Sequence, residues 1–220
     1  MVALGITASP RRRGNTHTAM LDLLAGLRAA GKATDEIFLT DYRIEPIANC
    51  SGCVAAGGCD ISDDFAALMD RLYAADLVVV GTPLYWYGPS GQLKLFLDRW
   101  SCLLDLEEAT FRDRMRGKRA VIVMAQGERG FYEAGPCLQM LDWTFRYLDM
   151  PVAGRIIVVG HASSDYASDA SQRDAVGEAA AALAAGQTVD LQPPWFHLGY
   201  RPGTRLGGIF YPAEDGSGTE

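Results

Sequence analysis

Three stretches of this 220-residue chain hold residue types that could do chemistry. The first, Ser9-Pro10-Arg11-Arg12-Arg13-Gly14-Asn15-Thr16, gathers hydroxyls, an amide and three guanidinium groups around one glycine. Placed ahead of a helix, such a segment can hold an anion, because the first helical turn leaves N–H groups unpaired and carries a partial positive charge. Gly14 would let the backbone approach closely, and a phosphate monoester suits the donors. The competing reading is a solvated basic turn before an Asn-capped helix. There is no Walker A motif and no G-x-G-x-x-G after a strand, and the loop lacks the thiol that a cysteine phosphatase would need.

The second stretch, Gly81-Thr82-Pro83-Leu84-Tyr85-Trp86-Tyr87-Gly88-Pro89-Ser90-Gly91, carries three consecutive aromatics that one domain core cannot bury together. A planar ligand beside it would gain stacking and apolar contact, with backbone groups reading its polar edge. A protein–protein patch is the other reading, and both hold if a ligand lies near a subunit interface. The third stretch crowds Cys50, Cys53 and Cys59 into ten residues. Five cysteines in all, unevenly spread, argue against a secreted disulfide framework and for free thiols, a metal or an iron–sulfur site. His17 begins the first helix, where it either touches the phosphate or is a solvated first-turn residue, while His161 and His197 have no visible partner and are assigned no catalytic role.

These stretches sit among alternating apolar runs and amphipathic segments. Strands are predicted at Val2–Ala8, Ala33–Thr40, Leu77–Val80, Arg119–Ala125 and Arg155–Val159. Helices are predicted over Thr16–Ala30, from Ser62 to Ala75, through Leu93, Phe96, Leu97, Trp100 and Leu103, over Pro136–Leu148 and over Ser171–Ala185. Ser62 is the expected cap of the second. Five strands alternating with helices predict an α/β fold whose parallel sheet is covered on both faces. All three candidate loops then follow strands, and the first two lie at the edge where such sheets bind ligands. Ala125-Gln126-Gly127, after the fourth strand, would join them there.

Composition narrows the class. With 49% hydrophobic and 21% charged residues the chain is neither disordered nor collagen-like. A net charge of −7 argues against a mainly electrostatic nucleic-acid binder. No apolar run reaches the roughly 18 residues of a membrane span, and no basic flank precedes the first one, so a cytoplasmic protein without a membrane partner is expected. The stretch 191–220, rich in aromatics, Pro and Gly, is expected to be an extension packing on the 1–190 domain or on a partner subunit.

The sequence resembles the flavodoxin-like, FMN-binding NAD(P)H oxidoreductases, which include NADPH-dependent FMN reductases and iron–sulfur flavoproteins. Ser9–Thr16, the Cys50-x-x-Cys53 region leading to Asp63-Asp64, and Thr82–Trp86 with Ser90–Arg99 carry the likeness, which spans roughly residues 2–160. It implies a three-layer sandwich with a five-stranded parallel sheet in the order 2-1-3-4-5, FMN at its carboxyl edge, and a homodimer or homotetramer. By this likeness Ser9, Arg11, Gly14, Asn15 and Thr16 hold the FMN phosphate. Pro83, Leu84, Tyr85 and Trp86 wrap the isoalloxazine, while Ala125, Gln126 and Gly127 complete the site. Arg12 and Arg13 face solvent or the nicotinamide nucleotide's phosphate, and Lys94, Asp98 and Arg99 are structural or subunit-contact residues.

The activity so implied is hydride transfer from NAD(P)H to FMN N5 and onward to a quinone, flavin, azo or nitro compound or metal ion. The chemistry resides on the cofactor, so no catalytic side chain is assigned. A flavodoxin-type electron carrier, an iron–sulfur flavoprotein and a flavin-free interaction module are the alternatives. Iron–sulfur members resemble Cys-x-x-Cys-x-x-Cys with a fourth Cys before the Asp pair, and here Ala56 stands at the third position. A cluster that takes four thiolates is therefore not expected on Cys50, Cys53 and Cys59. A zinc site lacks an obvious fourth ligand for the same reason. Nothing in the sequence brings Cys102 or Cys137 to them.

Overall fold

In a computed structural model the described residues are 1–47, 50–127 and 131–191, with the short strands at 205–206 and 209–210. The chain opens with β1 (Val2–Thr7), α1 (Asn15–Ala29) and β2 (Ala33–Phe38), followed by α2 (Cys50–Ala56) and α3 (Phe65–Tyr73). Next come β3 (Leu77–Pro83), α4 (Gly91–Asp98), α5 (Trp100–Met115), β4 (Arg119–Gln126) and α6 (Phe131–Tyr147). The chain then forms β5 (Val152–Val159), α7 (Asp165–Ser168), α8 (Ala170–Ala184) and β6 (Val189–Leu191). A separate antiparallel pair, β7 (Arg205–Leu206) and β8 (Ile209–Phe210), lies beyond.

The main sheet is parallel, in the order β2-β1-β3-β4-β5-β6. The expected five-strand order holds, with one strand added: Val189–Leu191 pairs with Gly154–Ile156, where the sequence reading placed the start of the extension. Three residues cannot show an alternation that distinguishes a strand from a linker. The rest of the extension lies outside the described residues, apart from the backbone of β7 and β8.

Period-two alternation divides the sheet between two cores. Leu4, Ile6, Val78, Val80, Ile122 and Met124 face α3, α4, α5 and α6. Leu77, Val79, Val121, Val123, Ile156 and Val158 face α1 and α8. Both faces are dry, so β3 is buried along its whole length and reads as a continuous apolar run.

Several boundaries differ from the sequence reading. Leu39 and Thr40, expected to end β2, instead belong to a single 3-10 turn, Leu39–Asp41. Ser62 does not cap α3. Its N-cap is Asp64, and the Asp63 carboxylate accepts the Phe65 N–H at 3.1 Å. The segment read as one helix from Leu93 to Leu103 is two, joined at Arg99. Helix α6 begins five residues before Pro136, which lies inside the helix and has no N–H to donate to the carbonyl four residues earlier. Helix α2 was not anticipated: its seven residues carry too short a pattern to show helical period.

Candidate functional site

The loops at the carboxyl edge of the sheet are joined through the backbone before any side chain contributes. The N–H of Ala8 donates to Gly81 at 2.7 Å, that of Leu84 to Ala125 at 2.8 Å, and that of Gly160 to Gln126 at 3.0 Å. Ser90 adds a buried lock. Its hydroxyl donates to the Ala8 carbonyl, its N–H donates to Thr82 Oγ1 at 2.9 Å, and its oxygen caps α4 by accepting from Leu93. The segments after β1, β3, β4 and β5 thereby line one cavity. Its walls are Ser9, Arg11, Gly14, Asn15, Thr16, Pro83, Leu84, Tyr85, Ala125, Gln126, Gly127, Gly160, His161 and Ser163.

All the residues expected to serve one ligand meet there except Trp86. Tyr85 and Gly88 bridge each other with hydrogen bonds of 2.9 and 3.0 Å, which leaves Trp86 and Tyr87 as the centre of a two-residue turn. Both have positive φ, 50° and 65°, as a type I′ turn requires, although glycine and asparagine are the usual occupants. Trp86 is 93% exposed at the tip, and only Tyr85 of the three aromatics reaches the cavity.

The arginines separate as well. Arg11 lines the cavity. Arg12 lies over the Phe38 ring and pairs with Asp41, outside the cavity lining. Arg13 has φ 57° and donates its N–H to His17 Nδ1 at 2.9 Å. His17 is neither solvated nor in the cavity lining. It is buried against Phe38, and with Nδ1 accepting, its Nε2 donates to Glu36 Oε1 at 3.1 Å.

Asn15 differs most from expectation. Its side-chain amide donates to the carbonyls of Gly160 and Ala162 at 3.0 and 2.9 Å, and its oxygen accepts from Tyr166 N–H at 3.2 Å. A fully engaged amide braces α1 against the segment after β5, leaving the main-chain N–H to face a ligand. Gly160 makes this contact possible: a Cβ there would lie 2.5 Å from Asn15 Nδ2. Gly160, His161 and Ser163 were missed because this loop has no motif of its own and joins the site through Asn15.

The cavity therefore offers the N–H groups at the start of α1 together with Ser9, Thr16 and Arg11, and also Pro83, Leu84 and Tyr85 with the polar groups of Gln126 and Gly127. That donor set fits a phosphate monoester joined to a large planar ring, as in FMN.

The model of the NADPH-dependent FMN reductase family matches residues 1–165. The chain belongs to this family. A Bacillus subtilis protein named as an NAD(P)H-dependent FMN-containing oxidoreductase, YwqN, is 31% identical over 166 residues, covering 74% of this chain and 88% of that protein. The iron–sulfur flavoprotein MJ1083 of Methanocaldococcus jannaschii is 35% identical over 99 residues, 45% of this chain and 51% of that protein. Among solved structures, an FMN-dependent NADH-azoreductase of Bacillus anthracis shares the fold with a TM-score of 0.64 at 15% identity, over 84% of this chain and all of that one. The family is one of NAD(P)H-dependent flavin oxidoreductases, and this chain is an enzyme of that kind.

The cysteine region of this FMN reductase family member is organised by a residue far away in sequence. Arg99, buried at the joint of α4 and α5, pairs with Asp63, and both side chains are only 2% exposed. The guanidinium also donates to the Glu45 carbonyl at 3.0 Å, lies over the Phe65 ring, and approaches Cys59 Sγ at 3.8 Å. Burial pushes the Asp63 carboxyl up, but the Glu45 N–H, the Arg99 guanidinium and the Phe65 N–H outweigh it and hold it below the usual carboxylate range. The structural role expected for Arg99 is what its contacts describe.

The expectation that nothing brings Cys102 near the cysteines requires correction. Cys102, Cys59 and Arg99 line one cavity, because the first turn of α5 places Cys102 there. Cys137 stays apart in the core, where burial pushes its thiol up to about 12. Of Cys50, the backbone at the start of α2 is described and the side chain is not. Among the described residues no helix is long and apolar enough to cross a membrane.

Proposed function

We propose that this chain binds FMN in the cavity at the carboxyl edge of the sheet and uses it to oxidise NADH or NADPH and reduce a small acceptor. The observation that carries the reading is the convergence of an anion cradle and an apolar wall on one cavity. Bound there, FMN would supply hydride acceptance from nicotinamide and its return to a second substrate. The N–H groups at the start of α1, the Ser9 and Thr16 hydroxyls and Arg11 hold the phosphate. Pro83, Leu84 and Tyr85 orient the ring and keep water from one side of it. Gln126 and Gly127 present polar atoms along its edge, and Trp86 is free at the turn tip to cover a ligand from outside.

Quinones, free flavins, azo or nitro compounds and metal ions are acceptors of the right class, since the site's polar groups are committed to the flavin. Cys53, Cys59, Cys102 and Cys137, none of them in a disulfide, suit a reducing cytoplasm. The groove of Leu97, Trp100, Leu104 and Met140, with exposed Trp143 and Tyr147 near it, favours a homodimer or homotetramer. The extension from 191 would pack on the 1–190 domain or on a partner subunit. Ala56 in place of a thiolate favours function without a four-iron cluster.

Anaerobic mixing of FMN-loaded protein with NADH and with NADPH tests the reading. Bleaching of the oxidised flavin, followed by recovery on adding a quinone, is expected. Retained FMN with no bleaching by either nucleotide would reduce the protein to an electron carrier, and protein that cannot take up FMN would overturn the site.

A further inference from the structure

The geometry points to a second site, for one soft divalent cation, zinc before others, held by Cys53, Cys59 and Asp60. Helix α2 sets the positions of these groups. Its last turn closes with Gly58 N–H donating to the Cys53 carbonyl and Gly57 N–H to that of Val54, both at 3.1 Å. This is the Schellman arrangement, and Gly57 supplies the left-handed residue it needs, with φ 73°. The closure turns the chain back on itself, so the two residues after Gly58 return beside the thiol of Cys53.

Cys53 Sγ, Cys59 Sγ and an Asp60 carboxylate oxygen lie within 4.8 Å of one another. Around one zinc ion, bonds of about 2.3 Å to sulfur and 2.0–2.2 Å to oxygen put neighbouring ligand atoms about 3.5–3.8 Å apart. The three groups thus need only small rotations to close on an ion. Cys53 Sγ and Asp60 Oδ1 already stand 3.1 Å apart and would open slightly. A four-iron cluster makes a different demand: each thiolate binds a separate iron, which spreads the ligands, and four are normally needed. Two thiolates with a carboxylate suit zinc, whose affinity for such donors exceeds that of iron(II).

The surroundings fit as well. Two thiolates and a carboxylate leave a bound divalent ion with excess negative charge, and Arg99, approaching Cys59 at 3.8 Å, offsets it while fixing the sulfur. Cys53 is buried whereas Cys59 and Asp60 are exposed, so an ion can reach the site from solvent and sit against a closed wall. The fourth position is open to water. The site stands apart from the FMN reading and does not depend on it.

The test uses the full chain, FMN-loaded, with thiols reduced and metals removed by a chelator. Zinc is titrated in competition with a chromophoric chelator, and cobalt(II) is added while the difference spectrum is recorded over the flavin bands. One equivalent of zinc and thiolate-to-cobalt charge transfer with the bands of a tetrahedral ion are expected. Cys59→Ser and Asp60→Ala, at exposed positions, should each weaken zinc by about tenfold or more. Cys102→Ser, outside the ligand set, should leave zinc affinity and FMN content unchanged. Failure to bind zinc, affinity unaltered in both ligand variants, or anaerobic uptake of four irons with sulfide per chain would overturn the proposal.

Discussion

The loop after β1 and the loop after α2 both carry short polar motifs, yet they are held in opposite ways. Ser9–Thr16 is held mainly by neutral hydrogen bonds: Ser9 exchanges hydrogen bonds with the Arg11 backbone, the Arg13 N–H donates to His17, and the Asn15 amide reaches across to the segment after β5. The cysteine loop closes on itself at Gly57 and Gly58, but its placement depends on Arg99, thirty-six positions beyond Asp63. A loop held by neutral hydrogen bonds keeps its shape when charges titrate, while one held by a buried ion pair inherits that pair's sensitivity to charge.

The strongest way to break this comparison is Arg99→Ala. It strands Asp63 as a buried charge and should cost about 3–5 kcal/mol in denaturant unfolding. FMN affinity of the folded variant should stay near that of the parent, and a large loss would show that the two loops are coupled. The same pair sets an acid response. Asp63 is held below its unfolded value of about 3.9, so its contribution is present above that pH and disappears as pH falls through the depressed value. Unfolding followed from pH 6 to pH 2 should show this loss in the parent and a flatter profile in Arg99→Ala.

Arg11→Ala probes the other loop. Removing one charge-assisted contact to a phosphate should weaken FMN by about 1.5–3 kcal/mol, roughly ten- to a hundredfold, with little change in the melting of FMN-free protein. Fluorescence titration with FMN would measure it. Gly57→Ala should cost about 1–2 kcal/mol of stability by forcing a side chain into the left-handed region. It should leave FMN affinity alone, since Gly57 belongs to the cysteine loop. The smallest effect is expected at the aromatic tip. Trp86→Asn suits a type I′ turn better and should raise the melting temperature slightly, by under about 1 kcal/mol in stability. A loss of FMN affinity as large as that of Arg11→Ala would show that Trp86 folds over the ligand.

Much of the first region was legible. Apolar runs such as Leu77–Val80 announce buried strands, the loops that follow them must emerge at one edge, and three of the four cavity segments were named from that geometry. The segment at Gly160–Ser163 was not, because only the Asn15 side chain ties it to the others. Trp86 was misplaced for a related reason: composition shows that the aromatics cannot all be buried, but which one turns inward depends on a hairpin pairing between Tyr85 and Gly88.

By itself the sequence determined the alternation of strands and helices, the parallel sheet and the loops that gather at its carboxyl edge. Those follow from periodicity and chain connectivity, which are local properties. Tertiary structure alone decided that Tyr85 and not Trp86 lines the cavity, that Asn15 braces instead of binding through its side chain, and that Arg99 stands beside Cys59. Each depends on which groups from distant segments compete for the same polar atoms once both faces of the sheet are covered.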